Sequence, residues 1–200
     1  MFTRPTLYAS AFALLLFLFF LSVPAPVVHA AGSAAPQIVS AVNETDLVQL
    51  RGSTPPLAIA KFDRGAVADS LPMEHMFLVL RRSSAQEHAI EELIASLHDP
   101  HSASYHHWLT AEEIGRKFGP AQEDIETILA WLGGQGFTVN RVHKSGLTID
   151  ISGTAGQVRN AFHTEIHQYN VNGELHIANA SEPEDSIRSC PGCSRVRLSQ

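Results

Sequence analysis

The feature that most constrains this chain is the run from Leu147 to Phe162, where a strand signature gives way to a helix signature within a few residues. Leu147-Thr-Ile-Asp-Ile151 alternates, placing Leu147, Ile149 and Ile151 on one face. Thr154-Ala-Gly-Gln157 then reads as a capping box, Thr first and Gln three residues later, and the helix it opens aims Val158, Ala161 and Phe162 inward. A strand that passes directly into a helix must fold that helix back over its own sheet, which points to a layered α+β domain.

The flanking segments extend the pattern. Met76-Phe-Leu-Val-Leu-Arg81 is an apolar run of strand length, and the ordered core is expected to begin there. Ile90, Leu93, Ile94 and Leu97 follow at helical spacing until Asp99-Pro100 stops them. Thr110-Ala-Glu-Glu113 is another capping box, starting a short helix with Ile114 and Phe118 inward. Gly119-Pro120 breaks it, and Ile125, Ile128, Leu129 and Leu132 mark a further helix ending at Gly133-Gly134. Phe137–Val142 precedes the Leu147 strand across Lys144-Ser-Gly146, while Glu165–Val171 and Glu174–Asn179 form a hairpin about Asn172-Gly173. The order is β-α-β-β-α-β with an extra helix in the first crossover and an added hairpin strand. It predicts a ferredoxin-like antiparallel sheet with helices on one face.

Outside this block the signals are sparser. Ala11 to Val23 is apolar between Arg4 and the Pro24/Pro26 pair, too short to span a bilayer comfortably but the length of a secretory core, and Val28-His29-Ala30 supplies a cleavage pattern. Residues 1–30 are therefore read as a signal peptide, with a retained anchor as the alternative, and no membrane association is expected after cleavage. Residues 31–45 read as a linker, 46–183 as the domain and 184–200 as a tail. Asp46–Gly52 has the makings of a short strand, Ser53-Thr-Pro-Pro56 an extended or turning one, and residues 57–75 no convincing period. Loss of Arg4 with the leader takes the formal charge from −6 to −7. That acidic, unclustered balance excludes a nucleic-acid partner, which would call for a basic stripe. Cys190 and Cys193 form a lone CxxC near the end, readable as half a zinc knuckle, a redox pair, a local disulfide or two idle thiols. Without a second CxxC or a strand–helix context, the last two are favoured in an oxidising compartment.

Ser104-Tyr-His-His-Trp-Leu-Thr110 is the most conspicuous cluster, with His98 and His101 just upstream. Zinc would need three or four rigidly held ligands, whereas these four histidines fall in a Pro-broken loop without i, i+4 spacing. No metal or cofactor is expected. Tyr105, Trp108 and Leu109 are read as a hydrophobic anchor ahead of the Thr110 cap, with His106 and His107 in solvent.

Taken together, Tyr105–Thr110, Glu113-Ile-Gly-Arg-Lys-Phe-Gly-Pro120, the Trp131-Leu…Gly136-Phe-Thr-Val139 junction, Ser152-Gly-Thr-Ala-Gly-Gln-Val158, Ala161-Phe-His-Thr-Glu165 and Tyr169-Asn-Val-Asn-Gly173…Ala178-Asn-Ala-Ser181 resemble the activation prodomain of the sedolisin, or kumamolisin-type, serine-carboxyl peptidases. The likeness runs from about Leu47 to Pro183. It implies a secreted zymogen segment that helps a peptidase body fold, blocks its active site and is cut away in acid. The catalytic Ser, Glu and Asp residues and a calcium site belong to that body, for which the residues after Pro183 leave no room, so no catalytic residue is expected here. Ser152-Gly-Thr-Ala is similar to the Ser-Gly-Thr-Ser of the family's nucleophile, yet no carboxylate pair can be assigned to activate Ser152, and a nucleophile without a base is inert.

The partner implied is a sedolisin-type peptidase body, joined in cis or met in trans. A freestanding inhibitor acting in trans and an unrelated secreted α+β binding module are the alternative readings. Eleven histidines occur, and charging the ten that follow the leader moves the formal charge from −7 to +3. His163, His167 and His176, on or beside the terminal helix and hairpin, are the candidate pH sensors. The expectation is that such a histidine is held neutral, with a depressed pKa, and loosens the domain on acidification.

Overall fold

A computed structural model describes residues 35–38, 47–185 and 195–197. The leader, residues 1–30, and the Cys190/Cys193 pair lie outside the described residues. The elements run β1 (Val48–Gln49), β2 (Asp63–Ala66), β3 (Pro72–Val79), α1 (Ser84–His98), α2 (Ala111–Phe118), α3 (Gln122–Gly134), β4 (Thr138–Val142), β5 (Thr148–Thr154), α4 (Ala155–Phe162), β6 (Ile166–Val171), β7 (Glu174–Asn179), β8 (Glu184–Asp185) and β9 (Arg195–Arg197). No helix among the described residues is long and apolar enough to cross a membrane.

The fold is α+β, with two antiparallel sheets and the two-residue ladder β1–β8. One sheet runs β4-β5-β3-β9. Because β5 lies between β3 and β4, the crossover through α1, α2 and α3 makes the split βαβ unit of a ferredoxin-like plan. The strand that closes that plan, β6, sits instead at the centre of the second sheet, β2-β6-β7. It pairs with β7 about Asn172 (φ 56°) and Gly173 (φ 93°), the two left-handed positions a tight hairpin turn requires.

Three helices begin with complete capping boxes, Ser83 with Gln86, Thr110 with Glu113 and Thr154 with Gln157. Helix α3 starts at Gln122 after an Ala121 cap that makes no side-chain bond, so Pro120 stands just before the helix. Its glycines 133 and 134 are the last helical residues, and the left-handed stop is Gly136 at φ 84°.

Between the four-stranded sheet and α3 and α4 lies the core: Met76 and Leu78 from β3, Ile149 and Ile151 from β5, Ile128 and Leu132 from α3, Val158 and Phe162 from α4, with Leu50 from the N-terminal segment. Helix α1 contributes less than its apolar stripe predicts. Only Leu97 is buried, and Ile94 is 49% exposed.

Two glycine contacts set how closely the layers approach. A Cβ on Gly115 would stand 2.9 Å from the Ser145 carbonyl oxygen, so α2 rests its backbone on the β4–β5 turn. A Cβ on Gly153 would stand 2.6 Å from Phe137 Cδ1, which explains a glycine where β5 enters α4. The Ser152-Gly-Thr-Ala-Gly run is thus a strand-to-helix joint.

Part of the stretch expected as linker is fastened to this body. Asp124, 2% exposed in the first turn of α3, accepts the backbone N–H of Gln37 at 2.8 and 3.0 Å and of Ile38 at 2.8 Å. Ile38 packs against the core.

Candidate functional site

β5 has two faces. Ile149 and Ile151 enter the core, while Asp150 and Ser152 point the other way, beneath two bulges in the flanking strands. In β3, Glu74 and His75 both oppose Ser152, and His75 takes φ 55°. In β4, Asn140 is the extra residue between Val139, paired with Ile151, and Arg141, paired with Asp150. Bulges re-aim side chains, and these two bring His75 and Asn140 together over Asp150 from opposite sides.

Asn140 Nδ2 donates to Asp150 Oδ1 and to Ser152 Oγ, both at 2.8 Å. His75 Nδ1 lies 3.1 Å from Asp150 Oδ2, and its backbone N–H donates to Ser152 Oγ at 3.3 Å. An ionised carboxylate only accepts, so Nδ1 carries a proton in this contact, on a side chain that is 68% exposed. Asp150 is 5% exposed, yet its carboxyl is held below the ordinary carboxylate range. The Asn140 amide is the main cause; burial works against it, and His75 and Arg141 add to it. Phe77 of β3 meets His143, just past the end of β4, edge-on at 6.1 Å.

The arrangement is a set of hydrogen bonds that ties the three strands together on this face. The Ser152 oxygen is engaged as an acceptor by two N–H donors, the Asn140 amide and the His75 backbone.

The residues singled out in the sequence fall elsewhere. Thr110 is the expected cap, its hydroxyl oxygen accepting the Glu113 N–H at 3.2 Å. Tyr105 and Trp108 are not a buried anchor. They are 37% and 60% exposed, and they hold His106 in a ladder with centroids 3.7 Å from Tyr105 and 5.6 Å from Trp108. His98 closes the ladder edge-on to Trp108 at 5.4 Å. His106 reaches φ 57° there, and its backbone N–H donates to the Leu97 carbonyl at 3.1 Å, tying the loop to the end of α1. Leu109 is half-buried, and His107 is exposed. Among the described residues no group of three or more His, Cys, Asp or Glu side chains is placed to hold a metal.

His163 is exposed at the left-handed end of α4, and His176 is exposed 3.8 Å from Glu174. His167 differs. Its Nδ1 is 2.9 Å from Asp63 Oδ2 and its Nε2 3.3 Å from Glu165 Oε2. Burial of the ring pulls its pKa down, but the bonds to Asp63 and Glu165 outweigh it, and the net shift is upward. The sign is opposite to the one expected for an acid release. A spacing of two residues, Glu165 to His167, was a visible clue to half of this clamp; Asp63 lies too far away in sequence to have been one.

Residues 62–186 match the family profile described as "Pro-kumamolisin, activation domain". The chain is 30% identical over 116 residues to xanthomonalisin of Xanthomonas sp. (strain T-22), covering 58% of this chain and 14% of that protein. It is 27% identical over 141 residues to sedolisin of Pseudomonas sp. (strain 101), covering 69% and 22%. With tripeptidyl-peptidase SED1 of Arthroderma otae it shares 33% identity over 100 residues, covering 48% and 15%. The chain thus spans less than a quarter of the length of each of these relatives.

Proposed function

Because this chain belongs to the pro-kumamolisin activation domain family, we propose that it is the secreted propeptide of a sedolisin-type serine peptidase, acting as folding template and inhibitor of a peptidase body encoded in cis. The observation that carries this reading is that the family match covers most of the folded α+β domain, while each relative is several times longer than the matched stretch. Secretion would follow from the apolar leader at 1–30, and any calcium requirement would fall to the peptidase body.

The open face of the four-stranded sheet is the docking surface in this proposal. Among the described residues the helices of the split βαβ unit pack on the other face, and the bulge pair sets a nearly buried carboxylate among His75, Asn140 and Ser152. An interface of standard size, about 1,600 Å², centred on such a preorganised patch is enough for tight inhibition.

The test adds the purified chain from residue 31 onward to a sedolisin-type peptidase body in trans, near neutral pH. Inhibition is expected, and paired His75→Ala and Asn140→Ala substitutions should weaken it at least about tenfold if they remove one centrally placed contact. No inhibition of any family member would overturn the reading. Hydrolysis of a peptide by the chain itself, abolished in Ser152→Ala, would overturn it as well.

A further inference from the structure

The segment by which the chain leaves the matched domain is gripped by one that precedes that domain. The Glu182 carboxylate accepts three consecutive backbone N–H groups, from Gly52 at 2.9 Å, Ser53 at 2.9 Å and Thr54 at 3.3 Å. Three successive donors converge on one anion only when the backbone curls, and Gly52 at φ 80° supplies the left-handed step. Beyond Glu182 the Leu50 N–H donates to the Pro183 carbonyl at 2.7 Å, and Gln49 and Val48 pair with Glu184 and Asp185.

The near side is equally tied. Asn179, 1% exposed, donates from Nδ2 to Thr54 Oγ1 at 3.0 Å and to the Ser181 carbonyl at 2.7 Å. The Thr164 hydroxyl donates to the same carbonyl at 3.0 Å. Leu50, fully buried, fastens the gripping segment to the core. The grip lies outside the family match, which begins at residue 62, whereas the residues gripped lie at its very end.

We propose that Glu182 is the bolt of an exit clip: residues 47–54 hold residues 182–185 in a fixed course, and only opening of the bolt lets that segment become the extended, accessible strand a protease site binds. The idea rests on the propeptide reading for its purpose, since there the connection past residue 186 leads to the peptidase body. Its physics does not depend on that reading. Strand pairs of two residues do not hold on their own, so the charge-assisted bonds of Glu182 must supply much of the local stability. Proteolytic susceptibility of such a segment follows the population of its open form.

The experiment is residue-resolved amide exchange by NMR on the isolated chain from residue 31 onward, with no peptidase present, so its outcome is independent of the inhibition assay. In Glu182→Ala the amides of Leu50, Gly52, Ser53 and Thr54 should exchange at least about tenfold faster than in wild type, while β3 and β5 amides keep their protection. Glu182→Gln retains one acceptor oxygen and should fall between the two. Should alanine unfold the whole domain, the glutamine variant is read by the same criterion. Unchanged exchange at those four amides in a folded variant overturns the clip.

Discussion

His167 Nδ1 sits 2.9 Å from Asp63 Oδ2, so an imidazole and a carboxylate bolt β6 to β2 in the second sheet. A folded-state pKa raised above the free value means that the pair's contribution is fully present below the unfolded histidine pKa, near ~6.5, and fades as pH rises through the higher folded value. His167→Gln should therefore lose most relative to wild type near pH ~5 and little near pH ~8. Thermal melts at both pH values check this, and a difference that grows towards alkaline pH would refute it. A histidine of this sign is expected to reinforce the domain in mild acid, so it does not supply the acid loosening that the sequence led one to expect.

Asp150 carries the opposite sign. Its carboxyl is depressed, chiefly by the Asn140 amide, so its stabilisation is present above the unfolded aspartate pKa, near ~3.9, and lost as pH falls through the lower folded value. The stability gap between wild type and Asp150→Asn should be open at pH ~6 and close in stronger acid. Urea midpoints across that range decide it; a gap that persists unchanged to pH ~2 would remove the charge from the account.

Two glycines separate helix propensity from packing. Replacing a helical glycine by alanine gains up to about 1 kcal/mol when space allows. Gly133→Ala meets nothing within 4 Å and should stabilise, whereas Gly115→Ala drives a Cβ to 2.9 Å from the Ser145 carbonyl and should cost about 1–3 kcal/mol net of that gain. Opposite shifts in the denaturation midpoint are the expected pair of results.

Trp108 provides a test of the loop reading. At 60% exposure it forfeits little on truncation, and Trp108→Ala should cost less than about 1 kcal/mol. Phe162→Ala, which empties a fully buried site, should cost about 3–5 kcal/mol. Comparable losses would restore Trp108 as an anchor of the fold.

What could be read in advance was whatever depended on neighbours in sequence. The Thr110–Glu113 and Thr154–Gln157 boxes and the Asn172-Gly173 turn stand where their residues put them. Ser83–Gln86 has the same spacing and forms the same box. β3 begins at Pro72, four residues before the apolar run, because Glu74 and His75 form a bulge that breaks the alternation. β2, Asp-Arg-Gly-Ala, has no strand-like composition and exists through its pairing with β6. The bulge cluster joins His75 to Asp150 across 75 positions, a relation that local periodicity cannot carry. The 60% exposure of Trp108 beside its helix cap depends on the ring contacts of the loop, which residue type alone does not reveal.

The Asp124 bonds to Gln37 and Ile38 bear on what counts as the unit of inheritance and what counts as the unit of folding. The family profile matches residue 62 to residue 186. A protein cut to those limits would lose Leu50 from its core and leave the Asp124 carboxylate facing a surface from which its donors had gone. The stretch the family profile matches and the body that packs together are therefore different objects in this chain, and the second is larger by an N-terminal arm that the profile match does not include.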